Sequence, residues 1–271
     1  MIRVAWEDKP LRKALITVTG SLVELFFPLP EGCAFCGKEL PGWQHLRVCR
    51  ECLQAIGDGY RWICFMCGRP LIGTAALEEG VSICTDCHSG ARAFDLARAA
   101  GRYSTPLSDT IHYFKSRPEL CLAGTLGTLM GFRLEELACL SGGFPDLVVP
   151  VPMDLTRLRG QGFNHSRCLA QVLARQFELP LREVLQKREQ TPPPKGATRS
   201  ERFARLKDAF RVRHRSIVRN KHVLLVDDVM ITGSTAEACA TVLKQEGARR
   251  VDVLVAASVP AIPARQTLNW V

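Results

Sequence analysis

No run of apolar residues in this 271-residue chain is long enough to span a bilayer. The nearest candidate, 14–30, is interrupted by Gly20 and Glu24 and shows no clear small-residue cleavage site. A short helix over 11–27 that docks on its neighbours is expected instead, in a cytoplasmic protein. Acids are scarce in one place. Residues 187–221 hold twelve Lys/Arg against three Asp/Glu, an excess equal to the whole formal net charge of +9. Aromatics are scarce in the same segment, which has only Phe203 and Phe210, so stacking platforms for single-stranded nucleic acid are thin there. The piece from 31 to 89 is under sixty residues, and one that small cannot rely on a core.

What stands in place of a core is cysteine. Eight of the twelve cysteines form four C-x-x-C pairs: Cys33/Cys36, Cys49/Cys52, Cys64/Cys67 and Cys84/Cys87. Cys33-Ala34-Phe35-Cys36-Gly37 and Cys64-Phe65-Met66-Cys67-Gly68 are near copies, so a unit of two knuckles has been duplicated. Secreted disulfide frameworks do not usually repeat this spacing, whereas structural zinc sites do. Each knuckle offers two thiolates on a tight turn relieved by glycine, and two knuckles complete a tetrahedral S4 site. Two closed, non-catalytic zinc sites are expected, paired in sequence order, with interleaved pairing as the alternative. A redox C-x-x-C would need a helix start in a thioredoxin-like context, which four pairs argue against. With complete cysteine sets, His45 and His88 are bystanders. Cys121, Cys139, Cys168 and Cys239 read as small core hydrophobes.

The most informative stretch runs from Val223 to Thr235. Val223-Leu224-Leu225-Val226 is apolar without alternation, as in a parallel strand covered on both faces. Asp227 and Asp228 follow, then Val229-Met230-Ile231-Thr232-Gly233-Ser234-Thr235, then a helix to Glu246 stopped by Gly247. Ligands in open α/β sheets bind beyond the carboxyl ends of strands, and a helix start offers free N–H groups to an anion. Thr232, Ser234 and Thr235 can donate hydroxyls to phosphate oxygens, and Gly233 lets the backbone approach. The two acids suit vicinal sugar hydroxyls. Side by side near 4 Å they would repel by about 4 kcal/mol at an effective dielectric near 20, so they need sugar hydroxyls, a cation or a lysine close by.

The stretch resembles the phosphoribosyl pyrophosphate (PRPP) motif of type I phosphoribosyltransferases. In that family the paired acids hold the ribose and the loop wraps the 5-phosphate. Ile231 departs from the Thr or Asp many relatives carry, so no proton-exchanging side chain stands inside the loop.

Alternating strands and helices continue this α/β reading. Strands are expected over 95–103, 146–152 and 251–259, helices over 105–115, 120–140 and 165–177, the last N-capped by Asn164. The strand ending Val149-Pro150-Val151-Pro152 feeds a loop, 153–163, with Arg157 and Arg159. Arginine makes multidentate contacts to phosphate, so Arg157, Arg159, Asn164 and Lys115 are the candidate pyrophosphate ligands. In the basic segment the run Thr191-Pro192-Pro193-Pro194-Lys195-Gly196 is stiff, and a short helix is expected over 200–210. The segment reads first as a lid whose cations close over pyrophosphate, then as a single-stranded nucleic-acid groove.

Taken in order, several blocks resemble the ComF, or GntX-like, family: Leu25-Phe26-Phe27-Pro28, the doubled cysteine unit, Ala99-Ala100-Gly101-Arg102-Tyr103, Ile111-His112-Tyr113-Phe114-Lys115, Val149-Pro150-Val151-Pro152, Gly162-Phe163-Asn164 and the Asp227-Asp228 motif. Gln161 and His165 beside Gly162-Phe163-Asn164, and the stretch after Thr191, depart from the family pattern. The resemblance implies a type I phosphoribosyltransferase-like parallel sheet flanked by helices, behind a double zinc ribbon. The implied division is 1–30 helical, 31–93 ribbon, 94–260 phosphoribosyltransferase-like and 261–271 tail. It also implies PRPP as ligand with Mg²⁺, Asp227 and Asp228 as catalytic residues, and transfer to an unknown acceptor with pyrophosphate release. A link to DNA uptake follows, with single-stranded DNA or a DNA-uptake helicase as candidate partners. The alternative implied is a non-catalytic PRPP sensor or DNA- or partner-binding competence protein on the same scaffold.

Overall fold

The computed structural model describes residues 32–40, 47–58, 62–72, 82–90, 92–116, 120–188 and 209–262. The expected helix over 11–27, the Pro run and nearly all of the helix drawn over 200–210 lie outside them. The elements are α1 (Arg50–Asp58), α2 (Thr85–His88), β1 (Leu96–Arg102), α3 (Leu107–Ser116), α4 (Leu120–Ser141), β2 (Leu147–Pro150), α5 (Leu155–Gln161), α6 (His165–Gln176), β3 (Leu185–Lys187), β4 (Phe210–Val212), α7 (Arg215–Val218), β5 (His222–Met230), α8 (Ser234–Gln245) and β6 (Arg250–Ser258).

Four strands form one parallel sheet in the order β1-β6-β5-β2. One face carries Val223, Leu225, Val253, Val255, Ala97, Ala99 and Val149 against Ala236, Cys239, Ala240 and Leu243 of α8. The other carries Leu224, Val226, Leu254, Ala256, Leu96 and Val148 against Leu126, Met130, Leu134 and Leu137 of α4, Leu169 and Leu173 of α6, and Ile111 and Phe114 of α3. Both faces are buried, which is why β5 and β6 show no alternation. β3 and β4 pair antiparallel as a separate ribbon.

Three boundaries differ from expectation. β5 does not end at Val226 but stays in register with β6 through Met230, opposite Ser258, because ladder hydrogen bonds are made by backbone whatever the side chain. Within 153–163 a helix forms, α5, its start capped by the Asp154 carboxylate accepting from the Arg157 amide and its end closed by Gly162. Phe210 begins strand β4 rather than closing a helix, because its buried side chain joins the α8 face of the core.

The helices α4 and α6 pack tightly at Gly127. A Cβ there would stand 2.5 Å from Val172 Cγ1 and 2.7 Å from its Cβ. Alanine is the better helix former by about 1 kcal/mol, yet Gly127→Ala is expected to destabilise the protein by about 1–3 kcal/mol through this overlap. Urea unfolding checks it: adding Val172→Ala should recover part of the loss, and a stabilised single variant would contradict the close approach.

Candidate functional site

The cysteines assemble as two tetrads in sequence order: Cys33, Cys36, Cys49 and Cys52, and Cys64, Cys67, Cys84 and Cys87. Within each, the four sulfurs lie within 4.8 Å of one another. The Cys36–Cys49 and Cys67–Cys84 sulfur pairs are 3.7 Å apart. A zinc–sulfur bond of about 2.3 Å gives a tetrahedral edge of about 3.8 Å, so both donor sets fit zinc. Gly37 and Gly68 take the left-handed angles (φ 74° and 63°) that the knuckles require. Amides point at the sulfurs: Cys49 N and Phe35 N lie 3.3 and 3.5 Å from Cys33 Sγ, and Cys84 N lies 3.3 Å from Cys64 Sγ. Burial works against ionisation of Cys33, but these amides outweigh it and draw the thiol down to about 7. The interleaved pairing is excluded by this arrangement.

The tetrads are built into the fold differently. Cys33, Cys49 and Cys52 form a small cluster with Val48. Cys64, Cys67 and Cys84 belong to the α8-side core of the sheet itself. Arg98 of β1 donates to the Phe65 carbonyl, and Ala97 N donates to the Met66 carbonyl, so the second knuckle is bonded along β1.

At the carboxyl end of β5 the two acids part company. Asp227 turns to α6: its Oδ1 accepts from Ser166 Oγ at 2.8 Å and from the Asp228 amide at 2.9 Å. Asp228 Oδ2 meets Lys115 Nζ, from the end of α3, at 2.7 Å. The lysine that an adjacent acid pair requires is thus Lys115. Burial, then the charge of Asp228, push the Asp227 carboxyl up to about 7 from 3.8; Ser166, the Asp228 amide and Lys115 pull the other way without prevailing.

Beyond the acids, Val229 packs on the α6 side, Met230 is buried and Ile231 is 62% exposed. Thr232 Oγ1 and Ser234 Oγ are hydrogen-bonded at 2.7 Å, and Ser234 N donates to Thr232 Oγ1 at 3.4 Å. Gly233 caps α8 from the left-handed region (φ 82°), which a side chain would strain. Thr235 stands half-buried in the first turn of α8. α8 therefore opens toward the acids with a glycine and hydroxyls at its start, an arrangement suited to an anion.

The other candidates lie on α5 and at the start of α6. Asn164 caps α6: its Oδ1 accepts from the Ser166 and Arg167 amides, and its Nδ2 donates to the Val151 carbonyl. Both ends of its amide are engaged, so it holds Ser166 in place. Arg157 (75% exposed side chain) and Arg159 lie exposed on α5, with Arg157 Nε 3.8 Å from Asp154. Three further residues belong here that sequence reasoning missed. Ser166 holds Asp227. Lys187, at the start of the basic segment, reaches Asp154 at 3.3 Å. His165, buried against Phe114 and Phe163, approaches the Lys115 carbonyl at 3.3 Å, and burial lowers its pKa. The asparagine cap was the only signal for Ser166 and His165, as it fixes where α6 begins.

The Phosphoribosyl transferase domain model matches residues 164–266, the span of α6, β5, the loop and β6. Competence protein F of Haemophilus influenzae is 27% identical over 176 residues, 63% of this chain and 76% of that protein. DNA utilization protein YhgH of Escherichia coli is 28% identical over 217 residues, 76% of this chain and 94% of that protein. A solved glutamine phosphoribosylpyrophosphate (PRPP) amidotransferase from B. subtilis is 23% identical with a TM-score of 0.32, covering 47% of this chain and 25% of that one. This chain thus spans about a quarter of that structure, too slight a likeness to argue from. The resemblance to the ComF/GntX-like family stands, as does the fold class: a type I phosphoribosyltransferase-like parallel sheet flanked by helices, with an N-terminal region whose cysteine tetrads fit a double zinc ribbon.

The raised Asp227 carboxyl has a consequence for stability. Its folded pKa, about 7, exceeds the unfolded 3.8, so the native state holds the extra proton between these values and loses stability as pH rises through them. The shift bounds this cost at about 4 kcal/mol. Asp227→Asn should therefore raise Tm at pH 8, with the gain gone by pH 4. Thermal melts across that range check it, and an equal Tm at pH 8 would contradict the enclosed carboxyl.

Proposed function

We propose that this ComF-like chain binds PRPP at the end of β5 and transfers its phosphoribosyl group to an acceptor with release of pyrophosphate. One observation carries the reading: a strand end places two acids beside the glycine-capped, hydroxyl-lined start of α8. Asp227 and Asp228 would accept hydrogen bonds from the ribose hydroxyls. The amides and hydroxyls from Thr232 to Thr235 would take the 5-phosphate. Val229, Met230 and Ile231 supply the backbone that carries the loop from the acids to them.

Displacement at C1 passes through a cation-like sugar, and the protein must neutralise the departing pyrophosphate. Lys115, now paired with Asp228, has the charge and tether to do so once the sugar hydroxyls take over that carboxylate. Arg157 and Arg159 add cations on the flank, and Asn164 contributes by holding the start of α6. Mg²⁺ is the expected companion of PRPP: the acids offer the hard oxygen ligands it takes, and its charge would offset that of the leaving group. Asp227, poised near neutrality, can exchange a proton at the ribose side.

A second reading, a PRPP-binding protein without turnover, is favoured by Ile231, which puts an exposed apolar side chain where proton exchange would otherwise be available. One relative is named for competence and the other for DNA utilization. By that kinship single-stranded DNA or a DNA-uptake helicase is proposed as partner. Most of the basic segment, the proposed lid, lies outside the described residues.

Titration calorimetry of PRPP with Mg²⁺, followed by a pyrophosphate-release assay across nucleobases and amines, tests the proposal. Binding is expected, with release for at least one acceptor. Asp228→Asn is expected to weaken PRPP at least about tenfold, the loss of a charged hydrogen bond worth roughly 1.5 kcal/mol or more. Binding without release would select the sensor reading, and no binding would reject both. In a gel-shift with single-stranded DNA, a complex that weakens with salt is expected; none at low salt would remove DNA as a direct partner.

A further inference from the structure

The second cysteine tetrad and the loop before α8 are about 150 residues apart in sequence, yet they share a wall. From Cys84 the chain runs through α2, which carries Cys87, to Arg92-Ala93-Phe94, which lies across the start of α8. Ala93 N donates to Glu237 Oε1 at 2.8 Å, in the first turns of that helix. Phe94 is fully buried. A Cβ on Gly233 would stand 3.4 Å from Met230 Sδ, 3.8 Å from Arg92 Nη1 and 3.9 Å from Phe94 Cε1. The Arg92 guanidinium also sits 5.8 Å over the Phe94 ring and beside the Cys87 sulfur. Its Nε is buried with no hydrogen-bond partner among the described residues, and the same is true of Glu237 Oε2. The unpaired Nε is a donor, and beside an anion loop it suits an acceptor such as a phosphate oxygen; the Glu237 oxygen, itself an acceptor, does not.

A second tie runs in parallel. Arg69 is buried, and its guanidinium donates to Asp86 Oδ2 at 2.7 Å, the Val259 carbonyl at 3.0 Å and the Pro260 carbonyl at 2.9 Å. Asp86 lies between two tetrad cysteines, and Val259 N donates to the carbonyl of Met230 at 2.9 Å, where the loop begins. The tetrad is thus bonded to both ends of the loop: to Met230 through Arg69 and the end of β6, and to the start of α8 through Arg92-Ala93-Phe94.

We propose that the second tetrad is the buttress of the phosphate loop, and that Arg92 is a phosphate-binding side chain presented by it, so that zinc held at Cys64, Cys67, Cys84 and Cys87 supports 5-phosphate affinity. The inference rests on the PRPP reading of the loop and deepens it. An arginine stays charged and offers a planar set of N–H donors to phosphate. Zinc fixes Cys87, Cys87 fixes the segment that follows, and that segment holds the guanidinium at Gly233. The link is mechanical as well as electrostatic: without the metal, the four sulfurs lose their common centre and Arg92 loses its support.

The test is a phosphorus NMR titration of the full-length, zinc-loaded protein with ribose 5-phosphate, alongside zinc quantification. Arg92→Gln is expected to weaken ribose 5-phosphate at least tenfold with zinc content unchanged, and Arg92→Lys to retain part of the affinity. The salt dependence of the dissociation constant should also flatten in Arg92→Gln, which a merely structural role would not cause. Cys87→Ser is expected to lose zinc and affinity together; if it fails to fold, the Arg92 pair still decides. Ribose 5-phosphate bound equally by wild type and Arg92→Gln would overturn this inference and leave the phosphate loop standing. Wild-type protein that does not bind ribose 5-phosphate would overturn the loop assignment and this inference together.

Discussion

The candidate site depends on the parallel pairing of β5 with β6. That ladder runs from His222 opposite Arg250 to Met230 opposite Ser258 without regard to the two acids it passes. Because both faces are covered, the strand is apolar from Val223 to Val226 and becomes polar only at its ends, with the two acids at the carboxyl end. There Asp227 and Asp228 leave the core, and the backbone turns at Gly233 into α8. Two carboxylates at such a spot cost energy unless something answers them. The fold answers each separately, with Ser166 for Asp227 and Lys115 for Asp228. The bound sugar would replace interactions that the free protein makes for itself.

The cysteine region belongs to the same mechanical unit. It is too short to build an ample core of its own, and structural zinc contributes roughly 10–16 kcal/mol per site in small peptides. The two tetrads use that energy differently. The first gathers a local cluster around α1. The second is packed within the sheet's own core and hydrogen-bonded to β1 and to the end of β6. Metal at the second is therefore a constraint on the sheet edge as much as on the ribbon.

Much of this was legible in the amino-acid order, for identifiable reasons. A strand covered on both faces shows as four apolar residues without alternation, and a glycine among hydroxyls marks the turn into a helix. Repeated C-x-x-C spacing marks the tetrads, though spacing alone left their pairing open. What was not legible is tertiary or masked by stronger local signals. α5 was hidden because Pro152, Gly160 and Gly162 punctuate the segment, although Asp154 was an available helix cap. The strand's continuation to Met230 is invisible because ladder bonds leave no trace in side chains. No motif marks Arg69, and only the fold shows it buried against two carbonyls. Ser166 and Lys115 meet the acids across more than sixty and more than a hundred residues of chain, respectively, where no spacing rule reaches.

The central claim, that the end of β5 and the turn after it cradle a phosphorylated sugar, is tested most directly by a crystal structure of the zinc-loaded protein with PRPP and Mg²⁺. The account predicts the 5-phosphate at the amides of residues 232–235, the ribose hydroxyls on Asp227 and Asp228, and Lys115 moved off Asp228 toward the pyrophosphate. PRPP bound elsewhere, with the Lys115–Asp228 pair intact and the start of α8 empty, would contradict it.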